Sequence, residues 1–301
     1  MSIAHYIKVI GRGKDGARPL SREQACDLFG QVLDGTVTDL EIGGFCLAMR
    51  IKGETPEEMA GFLDATYQRM QRFPATDQPT VVLPSYNGAR KLPVLTPLLA
   101  LLLAREGLPV LVHGTATESS RIFASKVLSA LDIHALTAIR TIASGEVVFA
   151  ATELLCPGLK RLLDVRRAVG LRNPAHSLVK LMNPCLGKAL VVSSYTHPEY
   201  AISMGQTFEL IQANALLLRG TEGEVVADAR RTPQMEAFIA GQRRLLQAAQ
   251  PGTLASVPDL PKDIDSESTA AYIRAVLSGQ HAVPASIASQ VEHILQLASH
   301  L

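Results

Sequence analysis

The stretch LPSYNGARKLPVLTPLLALLLAREGLPVLVHG, residues 83–114, carries the pattern that decides the fold. Apolar residues 79–83 lead into a turn at 85–88, and a second apolar segment, 108–112, ends at the dipeptide 113–114. A run with helical spacing separates the two segments. A strand, a crossover helix and a second strand predict a parallel pair whose ends meet at one edge of a sheet. The turn at this edge is therefore a candidate anion site.

The same alternation continues to about residue 220 and predicts five strands, with segments of helical spacing between them. We expect a mostly parallel central sheet covered on both faces, because its strands are nearly continuous apolar runs. Residues 251–269 are rich in Pro, Ser and Asp and indicate a loop, while 268–280 and 284–301 predict two closing helices. The predicted strands are TVVLP, PVLVHG, GEVVFAA, KALVVSS and NALLLRG.

Residues 1 to about 72 predict short helices with clear start signals. Ser21, Thr38 and Thr55 each precede an apolar-periodic segment and are suitable N-caps. The fold class is thus α/β, with a small N-terminal helical bundle and a larger α/β domain. We expect a helical domain at 1–75, joined by a helix from about 172–184, and an α/β domain at 76–301.

Composition excludes several classes of protein. The 301 residues are 47 % hydrophobic and 19 % charged, with a net charge of +1, so a basic surface requires local clustering. The longest apolar run, 94–104, is too short to span a bilayer, and we expect a cytoplasmic protein with no membrane partner. No metal-binding pattern links the four cysteines, which we expect to be reduced thiols: Cys26, Cys46, Cys156 and Cys185.

Four stretches match motifs of the anthranilate phosphoribosyltransferase and nucleoside phosphorylase class. Residues 84–97 stand where the enzymes carry GTGGDG followed by NIST, and VHGTATESSR (112–121) stands for KHGNRSVSSK. Residues 156–184 match HPAMKxxxxVRxxLGxRTxFNxxGPLxNP, and 270–279 match the class near the end of the chain. The sequence resembles this class over almost its whole length.

Within the class, three segments give a closer resemblance to the YbiB-type subfamily of nucleic-acid-binding proteins. They are IGRGK (10–14), MRIKGE (49–54) and SYNGARK (85–91). The resemblance implies a helical domain plus an α/β domain, a homodimer built through the helical domain, and binding to single- or double-stranded DNA or RNA.

The motif at the turn departs from the enzymes in ways that affect phosphate binding. Consecutive glycines in the enzymes let backbone amides close on a diphosphate, whereas Pro84 here has no amide to donate and Tyr86 adds a ring. The acidic pair that holds magnesium has no clean match, although Glu222 and Glu224 lie two residues apart. We expect no cofactor and no metal. The former diphosphate loop comprises Ser85, Tyr86, Asn87, Gly88, His113 and Gly114.

A local excess of positive charge indicates that the chain binds a polyanion and does not catalyse a reaction. Residues 156–188 contain seven basic side chains and one acid, Asp164. Arg and Lys contact phosphates and give affinity without reading sequence, so we predict sequence-nonspecific nucleic-acid binding through a basic groove, with no catalytic residue. Tyr86 is placed to stack on an unpaired base. The predicted binding residues are Arg12, Lys14, Arg90, Lys91, Arg121, Lys160, Arg161, Arg166, Arg167, Arg172 and Lys180.

Other interpretations stay open at this point. A phosphoribosyltransferase that uses phosphoribosyl diphosphate, Mg²⁺ and an unknown acceptor is favoured by the retained residues 113–114, Arg166, Arg172 and 183–184. A sensor of small metabolites or nucleotides, bound in the cleft, is favoured by Tyr86 and the pair Arg90 and Lys91. A basic helix is also often only a solvated face, and residues such as Tyr86 or His113 often have structural roles. The sequence does not distinguish DNA from RNA.

Overall fold

The computed structural model describes residues 2–13, 15–252 and 258–301. Three of its first four helices begin at the predicted N-caps, and in each a hydroxyl and the third helical residue form a reciprocal capping box. The helices are α1 (Ala4–Ile10), α2 (Arg22–Asp34), α3 (Asp39–Lys52), α4 (Pro56–Tyr67), α5 (Thr96–Arg105), α6 (Ala124–Ala130), α7 (Thr152–Leu155), α8 (Pro157–Val169), α9 (Ala175–Leu178), α10 (Pro198–Leu210), α11 (Ser266–Leu277) and α12 (Ala285–Ala298).

A seven-stranded sheet forms the centre, in the order β3-β2-β1-β4-β5-β6-β7. Its first five strands are parallel to one another, as the apolar alternation predicts, and the α/β fold class is confirmed. Sequence analysis missed β6 and β7, an antiparallel hairpin in a segment without long apolar runs. The strands are β1 (Thr80–Ser85), β2 (Val110–Gly114), β3 (Val147–Ala151), β4 (Ala189–Tyr195), β5 (Ala215–Arg219), β6 (Met235–Ile239) and β7 (Gln242–Gln247).

The helical bundle depends on a close approach of α2 and α4. A Cβ atom on Gly61 would lie 2.2 Å from the carbonyl oxygen of Arg22, so only glycine fits at this crossing. Three phenylalanine rings, Phe29, Phe45 and Phe62, meet in the centre of the bundle and are fully buried. The bundle therefore has an aromatic core of its own.

The bundle packs against one face of the sheet and is extended by a later part of the chain. Helix α8 packs on α2, and the single-turn helix α9 contacts α4. The segment 172–184 contains α9 but is not one continuous helix, and α8 contributes the larger contact. One apolar cluster joins the bundle to the first face of the sheet, and a second joins the other face to α5, α6, α11 and α12.

In the part of the chain that the structure describes, every helix is too short or too polar to cross a lipid bilayer.

Candidate functional site

The turn after β1 holds a carboxylate of the same chain. Oε1 of Glu224 accepts hydrogen bonds from the backbone amides of Asn87 and Gly88, each at 2.8 Å. Its Oε2 accepts from the hydroxyls of Ser85, at 2.5 Å, and Thr96, at 3.0 Å. Glu224 is only 1 % exposed. Four donors thus saturate a buried carboxylate where the turn would otherwise bind an external anion.

A second carboxylate occupies the continuation of the same loop. Oε2 of Glu222 accepts from the amides of Arg90, at 2.7 Å, and Leu92, at 3.3 Å, and both of its oxygens lie 3.1 Å from the amide of Lys91. The loop from 87 to 92 therefore directs five backbone amides at two carboxylates. It keeps the amide arrangement of an anion-binding loop, but the anions are covalently part of the protein.

The paired carboxylates reach the loop because the backbone between them passes very close to it. Gly223 has φ = 87°, and a Cβ atom there would lie 1.9 Å from the side-chain nitrogen of Asn87. That nitrogen donates to the carbonyl of Glu222 at 3.0 Å. A side chain at position 223 would displace the Asn87 amide from Glu222, and the positive φ is strained for any residue other than glycine.

These contacts decide whether the two glutamates can bind the magnesium ion that the phosphoribosyltransferase alternative requires. A magnesium ion needs carboxylate oxygens whose lone pairs are available. The oxygens of Glu224 are taken by two amides and two hydroxyls, and those of Glu222 by three amides. Glu224 has no lone pair to offer a magnesium ion, so the two carboxylates cannot hold one together in this arrangement.

Tyr86 is a packing residue, and the prediction that it stacks on a base is wrong. The residue is 4 % exposed, and its hydroxyl lies 2.9 Å from Nδ1 of His113 and 3.0 Å from the hydroxyl of Thr152. Its ring fills the space between the ends of three strands, so it cannot reach an external base. Burial lowers the pKa of His113 to about 3, which keeps this imidazole neutral.

Three predicted arginines do converge, at the same edge of the sheet. Arg121 lies on the segment between β2 and α6, Arg166 on α8, and Arg172 just beyond α8. Arg166 Nη2 donates to Oε2 of Glu118 at 3.1 Å, and Nε of Arg121 lies 3.1 Å from the same oxygen. Arg121 also donates to the carbonyl of Asn87, which ties the group to the carboxylate-filled loop. We call Arg121, Arg166 and Arg172 the arginine cluster.

Glu118 does not accept hydrogen bonds from all the donors of the arginine cluster. Within the described chain, Nη1 of Arg166 is buried without a hydrogen-bonding partner, and Arg172 forms no hydrogen bond or ion pair. Nε of Arg121 is in ion-pair distance of Glu118, but the angle between them makes no hydrogen bond. Burial, followed by the charges of Arg166 and Arg121, lowers the pKa of Arg172. Burial raises the pKa of Glu118, but the positive charges of Arg121 and Arg166 outweigh it and hold that pKa below its ordinary value. Unmet donors and crowded positive charge favour binding of a further anion.

Other residues of the predicted groove are engaged within the protein. Arg161 donates to the carbonyls of Val32 and Leu33, at 3.0 Å each, so its guanidinium contacts the end of α2 instead of lining a groove. Lys180 donates to the carbonyls of Gly223, at 2.9 Å, and Ser194, at 3.2 Å. Burial lowers the pKa of Lys180 to about 8. Both residues have structural contacts that their sequence pattern did not reveal.

Two basic residues of α8 share one acid. Asp164 forms ion pairs with Lys160, four residues earlier, and with Nε of Arg167 at 3.6 Å. The side chain of Arg167 is nevertheless largely exposed. These pairs reduce the positive charge of α8 below the count from its sequence.

The remaining predicted basic residues lie on the surface, apart from one that is outside the described residues. Arg90 and Lys91 are exposed, while their backbone amides hold Glu222. Arg12 is exposed just after α1, and Lys14 lies outside the described residues. Glu118 is the residue that sequence analysis missed. Its position three residues before Arg121 was the available signal, but its contact with α8 required the fold.

Comparison with known proteins gives relatives along the whole chain. Residues 4–70 match the helical bundle domain of the glycosyl transferase family. The protein YbiB of Escherichia coli (strain K12) is 40 % identical over 298 residues, covering 97 % of this chain and 92 % of that protein. An anthranilate phosphoribosyltransferase of Methanosarcina acetivorans is 33 % identical over 196 residues, 63 % of this chain and 52 % of that protein.

Solved structures share the fold. The crystal structure of anthranilate phosphoribosyltransferase from Thermus thermophilus aligns with a TM-score of 0.71 at 22 % identity. The alignment covers 95 % of this chain and 85 % of that one. At this level of identity the likeness concerns architecture alone.

Proposed function

Because this chain belongs to the anthranilate phosphoribosyltransferase-like family, in the part that includes YbiB of Escherichia coli, we propose that it is a nucleic-acid-binding protein built on that enzyme fold. The observation that carries the proposal is the arginine cluster, whose buried nitrogens lack partners beside a loop already filled by Glu222 and Glu224. The protein binds DNA or RNA through phosphates and without sequence preference.

The chemistry of the cluster suits phosphates. Two guanidinium groups contact one carboxylate and the charge of Arg172 acts on the same group, and each guanidinium presents planar, paired donors that match phosphate oxygens. Arg90 and Lys91, on the adjoining loop, are exposed and add positive charge. A polyanion that contacts both the cluster and this loop gains affinity by releasing counterions, whatever its base sequence.

The alternative, a transferase that uses phosphoribosyl diphosphate, has less support. The amides that hold a diphosphate in such a loop donate here to Glu222 and Glu224. His113, placed at the end of β2, is fully buried and neutral, so it is not a proton donor at the cleft. Binding without catalysis fits these contacts better.

We also propose that the protein is a homodimer joined through the helical bundle. Leu40, Leu47 and Ile51 lie on one face of α3 and are 86 %, 46 % and 68 % exposed. Three apolar side chains this exposed on one face of a helix mark an interaction surface. A second copy of the chain, placed by a two-fold axis, covers them and gives the dimer two arginine clusters, so avidity exceeds the affinity of either. The proposed compartment is the cytoplasm, where the four free cysteines remain reduced.

Fluorescence anisotropy with a labelled single-stranded oligonucleotide and its duplex, at several salt concentrations, tests nucleic-acid binding. The informative variant is Arg166→Gln with Arg172→Gln. Its matched control is Arg105→Gln with Arg140→Gln, because both of those arginines precede strands and lie at the opposite edge of the sheet.

We expect the wild type to bind with a steep salt dependence that is similar for unrelated sequences. The cluster variant should bind more weakly, and on duplex DNA its log–log salt slope should be smaller by about 2, since two phosphate contacts are lost. The control variant should change both quantities little. Equal losses in the two variants would place binding elsewhere, and no binding at low salt would refute the proposed function.

A further inference from the structure

Glu118 has an unusual position within the arginine cluster. Its Oε2 atom lies 3.1 Å from both Nη2 of Arg166 and Nε of Arg121, and its side chain is 33 % exposed. A carboxylate oxygen shared by two guanidinium groups occupies the place that a phosphate oxygen takes in arginine–phosphate contacts. The cluster is thus partly filled by an anion of its own chain, in a position that solvent and ligands reach.

The segment that carries Glu118 is lightly held. Residues 119–120 form a turn, and within the described chain no backbone group of residues 115–121 is hydrogen-bonded to the backbone of another segment. Side-chain contacts tether it. The hydroxyl of Thr117 donates to the carbonyl of Tyr86 and Arg121 donates to the carbonyl of Asn87, each at 3.0 Å, and Arg167 donates to the carbonyl of Ala116 at 3.5 Å. The Glu118 side chain can therefore turn away from the cluster without breaking a strand or a helix.

We propose that Glu118 is a built-in competitor for the phosphate group that the arginine cluster binds. A phosphodiester presents two charged oxygens in a tetrahedral arrangement. One of them takes the place of the Glu118 oxygen beside Arg121, and the other reaches Nη1 of Arg166, which is buried without a hydrogen-bonding partner within the described chain. When the phosphate enters, Glu118 moves out to solvent. The inference rests on the proposed function for the source of the phosphate, a nucleic acid, but the subsite itself recognises the phosphate group. Glu118 thereby weakens the binding of any polyanion whose phosphate must displace it from the cluster.

The test compares Glu118→Gln with Glu153→Gln. Glutamine keeps the size of glutamate and removes its charge. Glu153 is exposed on α7, directly after β3, so its carboxylate lies at the same edge of the sheet but contacts no arginine within the described chain. The affinity of each variant for a single-stranded oligonucleotide is measured by anisotropy. We expect about fivefold tighter binding by Glu118→Gln, the range of a partly exposed ion pair, and less than twofold change in the control.

A double-mutant cycle with Arg166→Gln separates local competition from general charge. If Glu118 acts by occupying Arg166, its substitution should have little effect once that arginine is absent. A gain that persists unchanged in the Arg166→Gln background would contradict the inference. Comparing the affinities of oligonucleotides with and without a 5′-phosphate shows whether the cluster binds a terminal or an internal phosphate.

The failures of the two proposals are distinguishable. If the wild type binds oligonucleotides but Glu118→Gln binds no more tightly than Glu153→Gln, the competitor is wrong and the proposed function stands. If the wild type binds no oligonucleotide, the proposed function fails. Calorimetry of Glu118→Gln with inorganic phosphate then tests the subsite alone, and absence of heat at millimolar phosphate overturns it.

Discussion

Oε1 of Glu224 accepts a hydrogen bond from the backbone amide of Gly88 at 2.8 Å, although the two residues are 136 positions apart in the chain. The donor belongs to the loop after β1 and the acceptor follows β5, so the contact joins two strand ends at one edge of the sheet. The loop that stands where the similar enzymes carry their glycine-rich motif is here a structural joint between two parts of the α/β domain.

The first prediction concerns the strength of this joint. Glu224→Ala leaves two amides and two hydroxyls without an acceptor in a buried site, so the free energy of unfolding should fall by about 2–4 kcal/mol. Glu222→Ala should cost about 1 kcal/mol, since that loop is nearer to water. Urea unfolding followed by circular dichroism measures both. The exposed Glu106→Ala is the control and should change stability little; a loss as small for Glu224→Ala would show that the joint is dispensable.

A second prediction concerns phosphoribosyl diphosphate. The loop amides and the two carboxylates are engaged with one another, so neither the diphosphate nor magnesium finds its partners. Isothermal titration with phosphoribosyl diphosphate and Mg²⁺ at millimolar concentration should give no binding heat. Saturable heat that requires magnesium would show that the joint opens, and it would restore the transferase as the leading hypothesis.

The third prediction is a pH dependence of stability that arises from His113. Burial lowers its pKa from 6.5 to about 3, so the unfolded chain binds a proton at this residue in that interval while the folded chain does not. The stability therefore holds above pH 6.5 and declines as the pH falls towards 3. In His113→Asn this contribution is absent. Relative to about pH 7.5, acidification to about pH 5 should cost the wild type about 2 kcal/mol more than the variant.

Chemical denaturation at several pH values measures this difference. His176, whose pKa burial also lowers to about 3, is present in both proteins and cancels in the comparison. His134→Asn is the matched control because His134 is exposed, and its pH profile should follow that of the wild type. If the stability of His113→Asn and of the wild type changed equally with pH, folding would not lower the pKa of His113, and the prediction would be wrong.

The fourth prediction tests the dimer. Leu47→Asp places a charge on the exposed apolar face of α3 and should yield monomers by light scattering, with little change in folding because the residue is solvent-exposed in the single chain. Leu245→Asp is the control, since Leu245 is 60 % exposed on the edge strand β7, away from the bundle. A monomeric wild type, or a dimer that survives Leu47→Asp, would exclude this face as the interface.

Much of the architecture followed from local patterns. The five parallel strands, the capped helices of the bundle and the two closing helices are confirmed, because periodicity and capping depend on residues a few positions apart. The hairpin β6–β7 was missed because its edge strand is mostly exposed and lacks an apolar run. The anionic partners of the loop were not predictable either, since Glu222 lies 132 positions from Arg90.

The sequence by itself determined the fold class, and it determined that the loop after β1 no longer has the glycines of a diphosphate site. Only the tertiary structure decided what the loop holds, that Tyr86 is buried, and which cations converge. Arg121 and Arg166 meet around Glu118 because β2 and α8 bring distant segments to one edge of the sheet. Arg161 carries the same charge but turns to the end of α2. Charge is a property of the residue, whereas the partner of a charge depends on the packing of elements far apart in the chain.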